Sequence, residues 1–328
     1  MIHPFLHRSW RWLLPAVLAM ACSHTPAQPA PACPPTAQVP SDAQVRDAMR
    51  DARDHGFLWR LSKDGRSSWL FGTLHVAKFA WMFPGPRVGE ALTASDTIAL
   101  ELDVLDPDVQ QRMARGMAAP AGTPPLSPVL QLRLQRQVQA ECLPPQSLAG
   151  LTPEMQVASL MTLVGRRDGL DPSYGIDLFL AGWARAAKIA VVSLETPELQ
   201  LKALQFGSPA EAQEFVASAL DDLEAGRAAP TLARVAAVWA ASDLDALRAY
   251  ESWCDCLKTA ADRAAMKALL DDRNPALADG IAALHAGGKQ VFAAVGSLHM
   301  IGPLGLPVLM AQRGYRVERV TGTLKAAP

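Results

Sequence analysis

Short apolar segments at both ends of the chain predict β-strands, and a long stretch with helical spacing separates them. Residues 57–61 and 68–74 flank a polar turn at 63–66, which is typical of a β-hairpin. We expect further strands over 96–103, 188–194, 290–295 and 315–320. Between them, apolar residues recur at helical spacing, with breaks at prolines and glycines. The pattern predicts an α/β domain with a mixed, largely parallel sheet, assembled from both ends of the chain and carrying a large helical insertion.

Two of these strands lead into the same short motif. Residues 72–75 and 296–299 both have the sequence Gly-[Thr/Ser]-Leu-His, and each follows an apolar strand. A proline-marked helix and another strand come after each motif, so each half forms a β-α-β unit. Such units favour parallel sheets, in which ligands bind beyond the carboxyl ends of the strands. We therefore expect His75 and His299 to lie at the same edge of the sheet.

Carboxylates near two other strand ends complete a candidate metal site. Glu101 lies on one face of the predicted third strand together with Asp103, and Glu195 ends the fourth. Imidazole nitrogens combined with carboxylate oxygens suit Zn²⁺, Mn²⁺ or Co²⁺. A lone histidine at a strand end is more often structural, but the repeated motif favours ligands. We predict that His75, His299, Glu101 and Glu195 bind a divalent metal, whose identity stays open.

The N-terminal residues are typical of an exported protein. Arg8 and Arg11 precede a short apolar run, which predicts a signal peptide over 1–21. Cys22 follows a sequence similar to a bacterial lipobox, so we expect it to carry lipid. Residues 22–56 are then the lipidated cysteine and a disordered, Pro/Ala-rich tether, followed by a single domain over 57–328. This organisation predicts a periplasmic protein anchored to the outer membrane through Cys22, and a freely soluble periplasmic form is the alternative.

Composition and charge exclude two classes of protein. The 328 residues include 31 basic and 32 acidic side chains, with a formal net charge of −1, so no nucleic-acid partner is expected. No long apolar segment after the N-terminus suggests a multi-span membrane protein. The remaining cysteines are even in number and are expected to form disulfides whose pairing the sequence leaves open: Cys33, Cys142, Cys254 and Cys256.

Further motifs point to a known family. They follow one another in the order Glu101-Leu102-Asp103, Tyr174-Gly175-Ile176-Asp177, Ser193-Leu194-Glu195-Thr196 with Gln200, Trp239 with Ser242-Asp243, Asp272-Arg273-Asn274 and Gly314-Tyr315. With both Gly-x-x-His motifs, residues 57 to 322 resemble the TraB/GumN proteins. These include the animal Tiki proteases and are related to erythromycin-esterase-like and ChaN-like haem-binding proteins. Ser242 and Ser297-Leu298 depart from the commoner residues, but neither departure removes a candidate ligand.

The resemblance implies metal-dependent peptidase chemistry built on His75, His299 and Glu101. A metal-assisted hydrolysis of a peptide or related amide would use Glu101 as a ligand or general base. Arg273 is a catalytic candidate that could stabilise an oxyanion or hold a substrate carboxylate, and a solvated arginine at a helix end is the alternative. Asn274 is a third candidate, although Asn before proline is also a good N-cap.

A second function remains open from the sequence alone. The protein could be a non-catalytic lipoprotein that binds metal or haem in an accessory role. Haem binding would need an imidazole but would have little use for Glu101 or Arg273, so their presence favours hydrolysis. Tyr174 and Asp177 either reach the cleft or hold the start of a helix.

Overall fold

The computed structural model describes residues 32–257 and 259–321. The predicted signal peptide and Cys22 lie outside these residues. Within them, no helix has the length and apolar character needed to cross a membrane. The strands are β1 (Phe57–Lys63), β2 (Arg66–Thr73), β3 (Thr97–Leu100), β4 (Ala190–Ser193), β5 (Val291–Gly296) and β6 (Arg316–Arg319).

The six strands form one mixed sheet in the order β4-β3-β5-β2-β1-β6. Strands β4, β3, β5 and β2 pair in parallel, whereas β1 is antiparallel to both of its neighbours. Strand β6 therefore runs in the same direction as the parallel group. Strand β5 comes from the end of the chain but lies between β2 and β3, which come from its beginning. The prediction of a largely parallel sheet assembled from both ends is confirmed.

Local sequence explains the hairpin and the buried strands. Asp64 and Gly65 connect β1 to β2 with positive φ angles of 51° and 71°, as a tight hairpin turn requires. Every residue of β3 and β5 is buried, because these strands lie inside the sheet and are apolar on both faces. The central core therefore forms around the parallel strands that lead to the candidate site.

Helices cover the sheet and build the insertion. Several begin with proline just after a serine or threonine whose side chain accepts a bond from the first turn, as at Ser127, Thr196 and Ser208. The first seven are α1 (Asp42–Arg50), α2 (Pro86–Thr93), α3 (Pro107–Met117), α4 (Pro128–Ala140), α5 (Pro153–Leu163), α6 (Ile176–Ala186) and α7 (Pro197–Lys202). They are followed by α8 (Pro209–Glu224), α9 (Ala228–Ala240), α10 (Leu244–Arg248), α11 (Tyr250–Trp253), α12 (Ala260–Leu269), α13 (Asn274–Ala286) and α14 (Leu306–Gln312).

The predicted large helical insertion is present and has a small core of its own. Leu134 of α4, Leu160 of α5 and Leu220 of α8 are buried together there, apart from the central core. Helices α4, α5 and α8 pack against one another, so this part of the insertion buries its apolar side chains without using the sheet.

The segment before β1 differs from a simple extended tether. Residues 42–50 form helix α1, and Ser41 and Gln44 close its first turn as a capping box. Cys33 is bonded to Cys142, just after α4, and Gln38 donates its backbone N–H to the hydroxyl of Tyr174 at 3.2 Å. The other disulfide joins Cys254 to Cys256. The sequence could not predict that Cys33 pairs with Cys142, because this bond depends on contacts between distant parts of the chain.

Candidate functional site

The carboxyl ends of the four neighbouring parallel strands meet at one edge of the sheet. His75 follows β2, Glu101 follows β3, Glu195 follows β4 and His299 follows β5. The prediction that Glu101 and Asp103 lie within the third strand is wrong, since β3 ends at Leu100. Both carboxylates are in the segment that follows the strand. The alternation of side chains along a strand therefore does not place them on one face.

Gly296 leaves the space in which three of the predicted residues meet. A Cβ atom at this position would lie 3.2 Å from Glu101 Oε1, 3.4 Å from His75 Nε2 and 3.6 Å from His299 Cδ2. In addition, His299 Nε2 is 3.9 Å from Glu101 Oε2. His75, Glu101 and His299 therefore surround one small space that a larger residue at 296 would occupy.

The first motif is held from both sides. Trp239 of α9 donates its indole N–H to the carbonyl of Gly72 at 2.8 Å, so the insertion fixes the start of the motif. His75 Nδ1 lies 2.7 Å from a carboxylate oxygen of Asp177, whose other oxygen accepts from the hydroxyl of Thr73 at 2.6 Å. Because the carboxylate accepts the Nδ1 proton, Nε2 is the ring atom that faces Glu101. Asp177 thus reaches the site and orients the first imidazole.

The second motif is oriented by an amide. Asn274 donates its Nδ2–H to the carbonyl of Leu304 at 2.9 Å, which turns its Oδ1 towards His299 Nδ1 at 2.6 Å. His299 therefore donates from Nδ1 and keeps the lone pair on Nε2. The N-cap interpretation of Asn274 is wrong, because α13 has Arg273 as its N-cap and no side chain caps the helix. Asn274 positions the second imidazole instead.

The two imidazoles have different proton affinities despite their matched motifs. The negative charge of Asp177 raises the pKa of His75, whose side chain is 66% exposed at the mouth of the site. Burial lowers the pKa of His299 to about 4, since its residue exposure is only 3%. His299 is therefore neutral at neutral pH, in the form that binds a metal.

Hydrogen bonds hold both oxygens of Glu101. Gly296 donates its backbone N–H to Oε1 at 2.7 Å, while Oε2 accepts from Arg273 Nη2 at 2.6 Å and from Gln200 Nε2 at 3.2 Å. Burial alone would raise the pKa of this carboxyl, but its interactions with His299, His75 and Arg273 and the Gly296 N–H together lower it to about 2. Glu101 is therefore an ionised carboxylate fixed in one orientation. The sequence marks Gln200 only through its place in the family motif with Glu195.

Arg273 is neither a solvated helix-end residue nor a free anion-binding group. Its Nε and Nη2 donate to the two oxygens of Glu195 at 2.9 and 2.5 Å, and Nη1 donates to the carbonyl of Leu269 at 2.9 Å. With Glu101 also on Nη2, every nitrogen of the guanidinium is engaged. The structure therefore places Glu195 behind Arg273 instead of beside the imidazoles, and Arg273 links the two glutamates.

Asp103 lies apart from His75, Glu101 and His299. Its carboxylate accepts from Arg185 Nη2 at 2.7 Å, so it is engaged with helix α6. Of the carboxylates considered from the sequence, Glu101 is the one that the structure brings to both imidazoles.

The donor set of the site suits a divalent cation. Among residues 32–257 and 259–321, no three His, Cys, Asp or Glu side chains already stand as a group that could hold a metal. Even so, the Nε2 atoms of His75 and His299 make no hydrogen bond within the described chain, and both approach an ionised carboxylate. Their Nδ1 atoms bond to a carboxylate and an amide, which is the usual support of metal-binding histidines.

Fold and site together define a class of protein: an α/β domain in which parallel strands bring two Gly-x-x-His motifs and a buried glutamate to one edge. The sequence profile of the TraB/PrgY/gumN family matches residues 57–319, which is most of the chain. The chain belongs to this family, as its motifs predicted. Neither curated proteins nor solved structures gave a match.

Proposed function

We propose that this protein is a metal-dependent hydrolase of peptide or related amide bonds. One observation carries the proposal: two imidazole Nε2 atoms, each fixed by a bond at Nδ1, face the same ionised carboxylate of Glu101. This arrangement resembles metal sites in which outer partners orient the ligating histidines.

His75 and His299 would hold the metal, and Glu101 would be a third ligand or the general base. Mn²⁺, Co²⁺ and Zn²⁺ suit this combination of nitrogen and oxygen donors. Such an ion, when bound, polarises a carbonyl group and makes water more acidic. Glu195 is not in our proposed ligand set, because both of its oxygens accept from Arg273.

The other polar residues have positioning roles in this proposal. Arg273 and Gln200 hold Glu101 ionised and oriented towards the two imidazoles. Asp177 orients the His75 ring through Nδ1, and Asn274 fixes His299 in the tautomer with its lone pair on Nε2. Neither Arg273 nor Asn274 needs to touch the substrate.

We also propose that the mature protein is attached to the periplasmic side of the outer membrane by lipid on Cys22. The predicted signal peptide and lipobox support this location, and the two disulfides suit an oxidising compartment. Mass spectrometry of the native protein should find diacylglycerol on an N-terminal Cys22. An unmodified cysteine there would overturn the anchor.

The function is tested by metal analysis and a peptide-library digest with protein loaded with Mn²⁺, Co²⁺ or Zn²⁺. We expect His75→Ala and His299→Ala to lose both metal and cleavage. Glu101→Gln should keep the fold and lose on the order of 10² to 10⁴ in turnover, as expected for a general base. His55→Ala controls for the loss of an imidazole, because His55 bonds the carbonyl of Ala240 and not a residue of the proposed metal site.

Two results would contradict the proposal. Identical cleavage profiles from the wild type and from the variant lacking both His75 and His299 would exclude hydrolysis by this site. Haem absorption that disappears in either histidine variant would favour the non-catalytic, haem-binding alternative.

A further inference from the structure

A cleft of about 460 Å³ opens beside His75 and Glu101 of the candidate site. Its volume is in the usual range for small-molecule and peptide side-chain sites. Apart from the site residues, much of its wall is apolar, formed by Leu102, Val104, Leu105 and Leu178. Val104 is 39% exposed, although it is a large apolar side chain. The cleft therefore presents unburied apolar surface next to the candidate metal site.

Two amides provide hydrogen-bond acceptors in the same wall. Gln110 donates Nε2–H to the carbonyl of Val104 at 2.9 Å, and Gln200 donates Nε2–H to Glu101. The Oε1 atoms of both glutamines have no donor within the described chain. A carboxamide oxygen accepts readily from a peptide N–H. These two acceptors suit an extended backbone better than a ligand without N–H groups.

The charge of the wall disfavours acidic ligands. Glu101 and Asp177 contribute carboxylates, and the described lining contains no lysine or arginine. Arg273 lies nearby, but its nitrogens are already bonded to Glu101, Glu195 and a backbone carbonyl. An acidic side chain in the cleft would meet like charge, and His75, the basic side chain of the described lining, is already bonded to Asp177.

We propose that this cleft is a specificity subsite that binds an extended peptide through an apolar side chain close to the bond that is cleaved. Val104 is its specificity-determining residue, because it is both exposed and held in place by Gln110. This inference rests on the proposed function, since it names the class of substrate for the same site.

Binding without turnover tests the subsite. Fluorescein-labelled, capped peptides Ala-Ala-X-Ala-Ala, with X as Leu or Glu, are titrated against the protein in EDTA and followed by fluorescence polarisation. We expect the wild type to prefer the Leu peptide by about tenfold or more, the scale on which apolar pockets discriminate. Val104→Lys should lower this preference by about tenfold, because it adds a cation and removes apolar surface.

Val129→Lys is the matched control. Val129 is an exposed valine of α4 that does not line the cleft, so its replacement should leave the Leu preference unchanged. Equal binding of both peptides, no binding of either, or an unchanged preference in Val104→Lys would overturn the subsite.

The same peptides separate this inference from the proposed function. A Leu preference that depends on Val104, together with no cleavage after metal loading, would keep the subsite and remove the hydrolase. If metal-loaded protein cleaves the Leu and Glu peptides equally, and Val104→Lys does not change this, the hydrolase would stand and the subsite would be excluded.

Discussion

At the scale of single residues, partners outside the motifs make the two histidines different. Asp177 gives His75 an anionic neighbour, whereas Asn274 gives His299 a neutral one inside the core. The motifs bring both rings to the same place, but their surroundings decide how readily each ring binds a second proton. The pKa of one imidazole is raised and that of the other is lowered.

Glu101 should make stability depend on pH in metal-free protein. Its pKa in the folded state is about 2 against an ordinary value of 4.5, so the folded state releases its proton more readily. The resulting stabilisation is complete above pH 4.5 and is lost as pH falls towards 2. We expect Glu101→Gln to lower the free energy of unfolding at pH 7 on the order of 3 kcal/mol, and the deficit to shrink over that range.

Urea unfolding of both proteins in EDTA, from pH 7 down to pH 3, measures the deficit. Glu90→Gln, a surface change in helix α2, controls for the replacement of a carboxylate by an amide. A deficit for Glu101→Gln that stays constant with pH would show that ionisation of Glu101 does not stabilise the fold.

The sequence could predict the members of the site better than their roles. His75, His299 and Glu101 follow from a repeated motif and strand ends, and all three converge. The partners of Arg273 could not be read in this way, because Glu101 lies 172 positions and Glu195 78 positions away along the chain. Spacing reveals which residues share a local element, whereas a hydrogen bond between distant segments needs the folded backbone.

At the scale of elements, the strand directions and the β1–β2 hairpin were predictable, but the neighbours of the other strands were not. A β-α-β unit specifies that two strands run in parallel, and it allows other strands to lie between them. Strand β3 ends earlier than the sequence predicts because of a bond to a distant segment. The backbone N–H of Gly296 in β5 bonds to the side chain of Glu101 instead of continuing the backbone ladder with β3.

Gly296→Ala should separate metal binding from folding. The added methyl group would contact Glu101, His75 and His299 at 3.2 to 3.6 Å, within the space where they converge. Because these neighbours are side chains, small movements can relieve the contact, and stability should change by about 1 kcal/mol or less. Metal affinity should fall about tenfold or more, as for other disturbances around metal ligands.

Titration calorimetry with Mn²⁺ or Zn²⁺ and thermal unfolding measure the two effects. Gly89→Ala in α2 is the control, since no atom lies within 4 Å of its added methyl group. It should bind metal like the wild type and gain about 0.5 to 1 kcal/mol of stability. Undiminished affinity in Gly296→Ala would mean that the metal does not lie between these side chains.

At the scale of the whole molecule, the two disulfides should differ in their effect on stability. The bond between Cys33 and Cys142 closes 109 positions of chain, whereas Cys254 and Cys256 are 2 apart. Closing a long loop restricts the unfolded chain more, so replacing the first pair with serine should cost about 2 to 4 kcal/mol. Replacing the second pair should cost clearly less.

Urea denaturation followed by tryptophan fluorescence compares the two serine pairs with the wild type. Equal losses of unfolding free energy would contradict the loop-length explanation. A loss confined to the Cys254 and Cys256 pair would show that its local contacts matter more than the length of chain enclosed.

The position of β5 between β2 and β3 has a consequence for when the site can exist during biosynthesis. A nascent chain contains His75 and Glu101 long before it contains residues 291–299. Until those residues are made, β2 and β3 have no strand to join them, and neither Gly296 nor His299 is present. Translation must therefore have passed residue 299 before the two motifs can come together. Chains that end before residue 291 would carry His75 and Glu101 without the second motif that faces them.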